Sequence, residues 1–391
     1  MSSLGILKSG IAKLQFYGSL LLKNCIFHGG KIAGRFIFPF FLIKNSKEYI
    51  NSPSYFPEHE RKGKLQIAME QLIYIFKTGE INKNYFIFGF DRKFKNDFSN
   101  YVPWFTFVHY RNKLNQQKAI PVYDPYNYLC LLRDKFIFEA YCSRLGINTP
   151  ENYGIIKQGE LFLLTDKKFT SLENILNVEL DAFCKKNVPY GQGICSNIMK
   201  LQISKGEIII NNKPVDFEEF KHIMGNDFWI IQKRIKNQAK EFAGFHPDSI
   251  NTLRIITVKN GKSIEVIGAL FRMGVNRNYI DNNASGGIIV GVNPEGGTLK
   301  KWGFFKPGYG TKSDRHPDSH IKFEGYKLPH WNVILNYAKR AHTLFYGFHS
   351  VGWDIAVTND GILIIEGNDN WETALLQLYD GARNEFKEYF K

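Results

Sequence analysis

The run Gly352-Trp-Asp-Ile-Ala-Val-Thr-Asn-Asp-Gly-Ile-Leu-Ile-Ile-Glu-Gly-Asn368 carries two carboxylates and an amide at a spacing that could hold a cation. Asn359-Asp360-Gly361 reads as a hairpin turn, with Gly361 able to take a positive φ. A three-residue loop pairs Thr358 with Ile362, and therefore Asp354 with Glu366. One face then carries Ile355, Val357, Leu363 and Ile365, all apolar. A one-residue slip would set Glu366 beside Ile355 and spoil that face. On the opposite face Asp354 and Glu366 stand about 5 Å apart at Cβ, with Asn368 two residues on. Opposed carboxylates repel unless a cation lies between them. Two carboxylates and an amide oxygen are hard ligands, suited to a Mg2+ that also coordinates substrate phosphates. The flanking Ile and Trp residues argue against an exposed pair held apart by solvent.

A nucleotide-bound Mg2+ calls for cations and a glycine loop upstream. Ala182–Lys186 reads as a strand, Tyr190-Gly-Gln-Gly-Ile194 as a flexible turn, and Ile198–Ile203 as the returning strand. Such a tip can lay backbone N–H groups on phosphate oxygens, with Lys185 or Lys186 adding charge. A plain hairpin turn fits the same residues. Arg254 and Arg272 lie on two strands that turn at Asn260-Gly261. A three-residue loop puts both on one face and a two-residue loop does not, so the sequence leaves their relative placement open. Beside the acidic hairpin, anion binding is the better reading of them than surface exposure. Pro317 within His316-Pro-Asp-Ser-His320 denies that pair the helix face a zinc site would need. No Ser/His/Asp or Cys/His nucleophile set is apparent.

These residues need elements to position them. Leu65, Ala68, Met69, Leu72, Ile73 and Phe76 follow a helical period over 64–76, ended by Gly79. Residues 85–90 read as a short strand. Residues 126–145 read as a second helix, closed by Gly146 before Thr149-Pro150. Beyond it come short β-branched runs at 207–210, 228–232, 250–258, 263–271, 287–292, 353–358 and 362–366. A long helix interrupts them, with Trp331, Ile334, Ala338, Ala341, Phe345 and Phe348 on one stripe. The pattern is α+β, helices leading and mostly antiparallel strands behind. The expected divisions are a basic amphipathic segment over 1–60, a helical region over 61–125, a smaller subdomain over 126–235 and a larger one over 236–391.

Composition bounds the rest. The chain has 391 residues, of which 44% are hydrophobic and 23% charged, which excludes wholesale disorder. Aromatics reach 15%, so rings must build much of the core. The net charge of +14 divides unevenly. Residues 1–120 hold 18 basic and 7 acidic residues, and residues 121–391 hold 33 and 30. Nucleic-acid binding would need basic and aromatic residues interleaved on the strands, and the balanced body argues against it. Leu4, Leu7, Ile11, Leu14, Leu21 and Cys25 recur at helical steps among Lys8, Lys13, Lys23, Lys31 and Arg35. Such a segment can lie on an anionic membrane surface or pack on the protein's own core. The apolar run Phe36–Ile43 is far shorter than the ~20 residues a spanning helix needs. No cleavable signal is evident. Five scattered cysteines fit a reducing compartment. The expected location is cytoplasmic, peripheral at the inner face of the membrane.

In order, Leu132-Arg-Asp-Lys135, Lys185 before a glycine loop, Trp229-Ile-Ile-Gln232, Ser249-Ile-Asn-Thr-Leu-Arg254, Asp281-Asn282 before Gly286-Gly287, His316-Pro317 and the acidic hairpin form a series. From about residue 64 to 372 the chain resembles the ATP-grasp superfamily, most closely its sugar-transfer-associated family from bacterial polysaccharide loci. The resemblance implies two α+β subdomains gripping ATP between antiparallel sheets. It implies that Asp354, Glu366 and Asn368 bind Mg2+, that Lys135 and Lys185 contact phosphates, and that a loop with Gly191 and Gly193 closes over them. Gln232, Lys233 and Ile235 would fall in the adenine hinge. Arg254 and Arg272 would hold the γ-phosphate and the acyl-phosphate derived from it, and Asp281 and Asn282 would line the acceptor side. The chain departs from the family where Lys186-Asn187 replaces the usual proline and the loop shortens to Gly-Gln-Gly.

The implied activity is an ATP-dependent carboxylate–amine ligase that joins, for instance, an amino acid to a sugar acid of a surface glycan or its precursor. Its partners would be a sugar or glycan acceptor and an amine or carboxylate co-substrate. Two readings compete with it: an ATP-dependent sugar kinase, and a non-catalytic nucleotide-binding adaptor in a glycan assembly complex.

Overall fold

The computed structural model describes residues 25–117, 128–187, 198–276, 286–345, 347–379 and 381–390. Helices come first: α1 (Cys25–Lys44), α2 (Ser46–Tyr49), α3 (Lys64–Thr78), α4 (Trp104–Gln117), α5 (Cys130–Arg133) and α6 (Lys135–Arg144). Gly79 ends α3 in the left-handed region at φ 80°, as its position in the sequence predicts. Residues 85–90 form no strand. Successive turns take up their N–H groups, with Phe88 N donating to Asn84 O and Phe90 N to Tyr85 O. The helix expected up to residue 145 is broken at Asp134. Its extended backbone and its carboxylate, which accepts Ile137 N at 2.8 Å, cap α6 and separate it from α5.

Eight strands then form one antiparallel sheet: β1 (Asn152–Lys157), β2 (Glu160–Leu163), β3 (Lys168–Ser171), β4 (Leu180–Lys186), β5 (Ile198–Ser204), β6 (Glu207–Ile210), β7 (Lys213–Val215) and β8 (Phe228–Lys233). Helix α7 (Phe217–Met224) packs on its inner face through Phe220 and Met224. The strand order is β3-β2-β1-β8-β4-β5-β6-β7.

After α8 (Lys240–Ala243) a second antiparallel sheet is built from β9 (Thr252–Asn260), β10 (Ser263–Met273), β11 (Ile288–Val292), β12 (Leu299–Phe305), β13 (Lys312–Ser313), β14 (Ser350–Thr358) and β15 (Gly361–Asn368). Its order is β13-β12-β11-β10-β9-β14-β15. Helix α9 (Trp331–Leu344) covers one face with Trp331, Ile334, Ala338 and Ala341, alongside Phe345 and Phe348, all in the largest apolar cluster. Helix α10 (Arg383–Tyr389) closes the described chain. The opposite face of this sheet carries the polar residues singled out by the sequence.

Residues 25–50 are neither wholly core nor wholly surface. Leu42 and Tyr49 are buried with Ile75 and Ile81, whereas Phe36, Ile37, Phe40 and Ile43 are exposed. The eight-residue apolar run lies within α1, the one helix among the described residues long and apolar enough, by length and composition, to cross a membrane.

Candidate active site

The two hairpins that carry the site share one device. Strands β14 and β15 join through a two-residue turn, Thr358 pairing with Gly361, not through the three-residue loop expected. That turn alone would put Asp354 and Glu366 on opposite faces. A bulge between Asp354 and Ile355 corrects it, and Asp354 pairs with Glu366 after all. The apolar face is accordingly Ile355, Val357, Ile362 and Ile364, not Leu363 and Ile365. Strands β9 and β10 also turn over two residues, Asn260 pairing with Ser263. A bulge between Val266 and Gly268 then pairs Arg254 with Leu270, so Arg254 and Arg272 share a face. Asp354 pairs with Arg254 across β14 and β9, and the three charges converge.

The convergence is tight. Asp354 is 4% exposed. Its Oδ2 accepts from Arg254 Nη2 at 2.9 Å and from Arg272 Nη1 at 2.8 Å, and its Oδ1 accepts from Arg254 Nε. Burial alone would raise the Asp354 carboxyl, but the two guanidiniums override it and hold the group well below the usual carboxylate range. The repulsion expected between Asp354 and Glu366 is thus already answered by arginine. Asn368 Nδ2 donates to Glu366 Oε1 at 3.2 Å and to Gly352 O at 3.4 Å, which leaves its own oxygen for a cation. Two carboxylates and an amide oxygen fit Mg2+, whose preferred ligands are hard oxygens. Among the described residues no group of three or more His, Cys, Asp or Glu is gathered to hold a metal, so the amide is needed to complete this set.

The approach to β9 is fixed by buried polar groups. Asn251, fully buried, donates to Phe242 O at 2.8 Å and His246 O at 2.9 Å, and Gln238 brackets its backbone. Ser249 bonds His246 Nδ1 at 3.0 Å. The Ser-Ile-Asn-Thr-Leu-Arg motif therefore brings one site residue, Arg254, and spends its serine and asparagine on holding that strand entry. His316 is likewise committed: its Nε2 lies 2.8 Å from Gly274 O and its Nδ1 faces the N–H groups of Asp318 and Ser319.

On the other sheet Lys185 Nζ donates to Gln232 Oε1 at 2.7 Å, on the face opposite the α7-packed cluster. Lys186 instead pairs with Asp227 at 2.6 Å and lies over the Trp229 ring. Lys233 ends β8 paired with Glu151 at 2.7 Å, and Ile235 follows it, half-buried. Lys135 occupies the first turn of α6, where Asp134 and Phe136 N are bonded to Asn187. Gly191 and Gly193, and Asp281 and Asn282, lie outside the described residues. Sequence reasoning gave no role to Arg133, which grips Asp369 through both guanidinium branches at 2.9 and 2.7 Å and so anchors the chain just past Asn368. The adjacency of Asp369 to the acidic hairpin was the available signal.

Beside the site lies a cavity of about 440 Å3, lined among others by Tyr74, Glu80, Tyr101, Trp104, Ile289 and Lys306. Ile289 on β11 is the direct partner of Arg272 on β10, so the cavity reaches the strand next to the guanidinium. Glu80 is 3% exposed, its Oε2 accepting Phe105 N at 2.9 Å and its Oε1 without a partner among the described residues. Burial pushes its carboxyl up to about 7, against smaller opposing effects of Phe105 N, Lys31 and Lys83.

Comparison with known proteins follows the same lines. Residues 114–388 match the family described as sugar-transfer associated ATP-grasp. Similar solved structures include a D-alanine-D-alanine ligase from Coxiella burnetii (8% identity, 67% of this chain and 57% of that one, TM-score 0.38). An L-amino acid ligase from Bacillus licheniformis is 10% identical over 68% of this chain and 45% of its own, TM-score 0.35. N5-carboxyaminoimidazole ribonucleotide synthetase from Thermotoga maritima is 11% identical over 63% and 43%, TM-score 0.32. The chain spans about half the length of these structures, and likeness at this level carries no functional argument. No curated protein matches the chain. With its family match covering most of its length and both antiparallel sheets in place, the chain belongs to the sugar-transfer associated ATP-grasp family.

Proposed function

We propose that the protein is an ATP- and Mg2+-dependent ligase that joins a carboxylate to an amine on a surface glycan or its sugar precursor. The observation that carries this reading is the Asp354–Arg254–Arg272 cluster beside Glu366 and Asn368, one strand from a partly open cavity. Asp354, Glu366 and Asn368 would hold Mg2+, which when bound neutralises phosphate charge. Arg254 and Arg272, held side by side by one carboxylate, are poised to hold the transferring phosphoryl group. A substrate carboxylate oxygen attacks the γ-phosphorus and the bond to the β-phosphate oxygen breaks, releasing ADP. The amine then attacks the acyl carbon, phosphate leaves, and the amine loses a proton. The cavity beside Arg272 is where the acceptor carboxylate or amine would sit. Its aromatic walls suit the apolar face of a sugar ring, and Lys306 suits an acidic group.

The test supplies ATP and Mg2+ with panels of sugar acids and amino acids, and follows ADP release and product mass. ADP and phosphate formed only when both a carboxylate and an amine are present, with a product lighter by one water than their sum, support the ligase. A phosphorylated sugar formed without an amine would make the protein a kinase instead.

A further inference from the structure

Helix α1 lies along the body of the protein. Gly34 sits so close to α3 that a Cβ there would come within 2.0 Å of Gly79 O. Arg35 Nε donates to Phe76 O at 2.8 Å, Lys31 Nζ to Thr106 Oγ1 at 2.8 Å, and Phe27 stacks on His109. These contacts fix one stripe of α1 against α3 and α4 and leave the opposite stripe outward.

That outward stripe is apolar. Ile32, Phe36, Ile37, Phe40 and Ile43 are each more than half exposed, Phe40 at 76%. Helix α3, antiparallel to α1 and joined to it at Arg35–Phe76, adds Leu65, Met69, Ile73 and Phe76, with Leu65 at 77%. Summed over the two helices their exposed area is on the order of 1,000 Å2, against roughly 300–600 Å2 for the largest apolar patch on an ordinary monomer. The surroundings are basic. Helix α1 carries Lys31, Arg35 and Lys44 and no acidic residue. Lys44 at the end of α1, Lys64 and Lys77 at the ends of α3, and Lys47 in the adjoining α2 are all exposed.

We propose that the α1–α3 face docks in the plane of an anionic lipid bilayer. Phenylalanine and isoleucine side chains enter the acyl boundary while the flanking lysines meet lipid phosphates. A second copy of the chain would bring the exposed Lys44, Lys47, Lys64 and Lys77 against the same four lysines, whereas an anionic surface complements them. A spanning arrangement would strip α1 from Gly79, Phe76 and Thr106. Phe38 of α1 and Tyr74 of α3 also line the cavity, so docking sets that cavity beside the lipid and suits a lipid-linked acceptor. This last step rests on the ligase reading and fails with it; the docking does not.

The experiment is sedimentation of the full chain with vesicles of phosphatidylcholine alone or mixed equally with phosphatidylglycerol. Binding is expected to the mixed vesicles only. Phe36→Glu with Phe40→Glu should lower partitioning at least tenfold, and Lys44→Gln or Lys47→Gln about fivefold each. Nucleotide binding by these variants, which reads folding, should be unchanged. The proposal is overturned if the wild type ignores mixed vesicles or if the glutamate pair binds like the wild type. It is equally overturned if binding emerges only after residues 1–24 are removed, which would make that segment the cover. A dimer in light scattering that the glutamate pair dissolves, without vesicle binding, would name a second copy as the occupant. Protein that stays with membranes through alkaline carbonate would make α1 a spanning helix.

Discussion

Replacing Glu80 by Gln should change how stability depends on pH, by an amount that follows from the site. The amide has the same shape and retains an oxygen to accept Phe105 N, so the substitution removes little besides the titration. The ordinary carboxyl value is 4.5, and in the folded protein the group is raised to about 7. Below about 4.5 both states are protonated and pH has no effect through this group. Between there and about 7 the unfolded chain is ionised while the folded one keeps its proton. The unfolded state then binds fewer protons, so stability falls as pH rises. At 1.36 kcal/mol per pH unit the loss is about 3 kcal/mol once the folded carboxyl has ionised. Glu80→Gln should therefore be more stable than the wild type above about pH 7, by about 2 kcal/mol more than at about pH 5, where part of the loss has already occurred. Urea unfolding at the two pH values, followed by tryptophan fluorescence with Trp104 beside the cavity, measures the difference. A gap between the two proteins that is independent of pH would refute the reasoning. It would mean that Lys31 and Lys83 keep Glu80 ionised at ordinary pH despite its burial.

Three further outcomes are expected. Asp354→Asn leaves Arg254 and Arg272 adjacent without their carboxylate, which should cost about 3–5 kcal/mol in chemical denaturation and abolish ATP turnover. Arg254→Lys keeps the charge but loses the two-pronged grip, so turnover should fall about a hundredfold with the fold intact by circular dichroism. Lys185→Met should weaken nucleotide binding in calorimetry by about tenfold or more, while Lys186→Met, whose lysine is committed to Asp227, should leave it near the wild-type value.

The sequence was most legible where residue type alone carries the chemistry. The carboxylates and amide of the acidic hairpin, the arginine pair, and the stripe of α9 all declared themselves through identity and period. The three strands over 152–171 and helix α4 were missed, because the strands are only four to six residues long and the apolar residues of α4 crowd its first turns without a sustained helical period. The supposed strand at 85–90 shows the same limit: its aromatic run is filled by turn geometry once Asn82, Asn84 and Gly89 bend the backbone. The choice between Lys185 and Lys186 could not be made from spacing. It depends on which face of β4 meets the α7 cluster.

By itself, then, the sequence determined the family, the antiparallel sheets and the residues of the charge cluster, since these follow from local pattern and chemical type. Whether those residues meet was a tertiary matter. In both site hairpins the two-residue turn sends the key side chains to opposite faces, and one extra residue in a bulge brings them back. A side chain's face depends on the parity of every residue between it and the turn. That parity was set by the packing of Trp353, Ile355 and Ile364 under α9, and nothing in the turn sequence could reveal it.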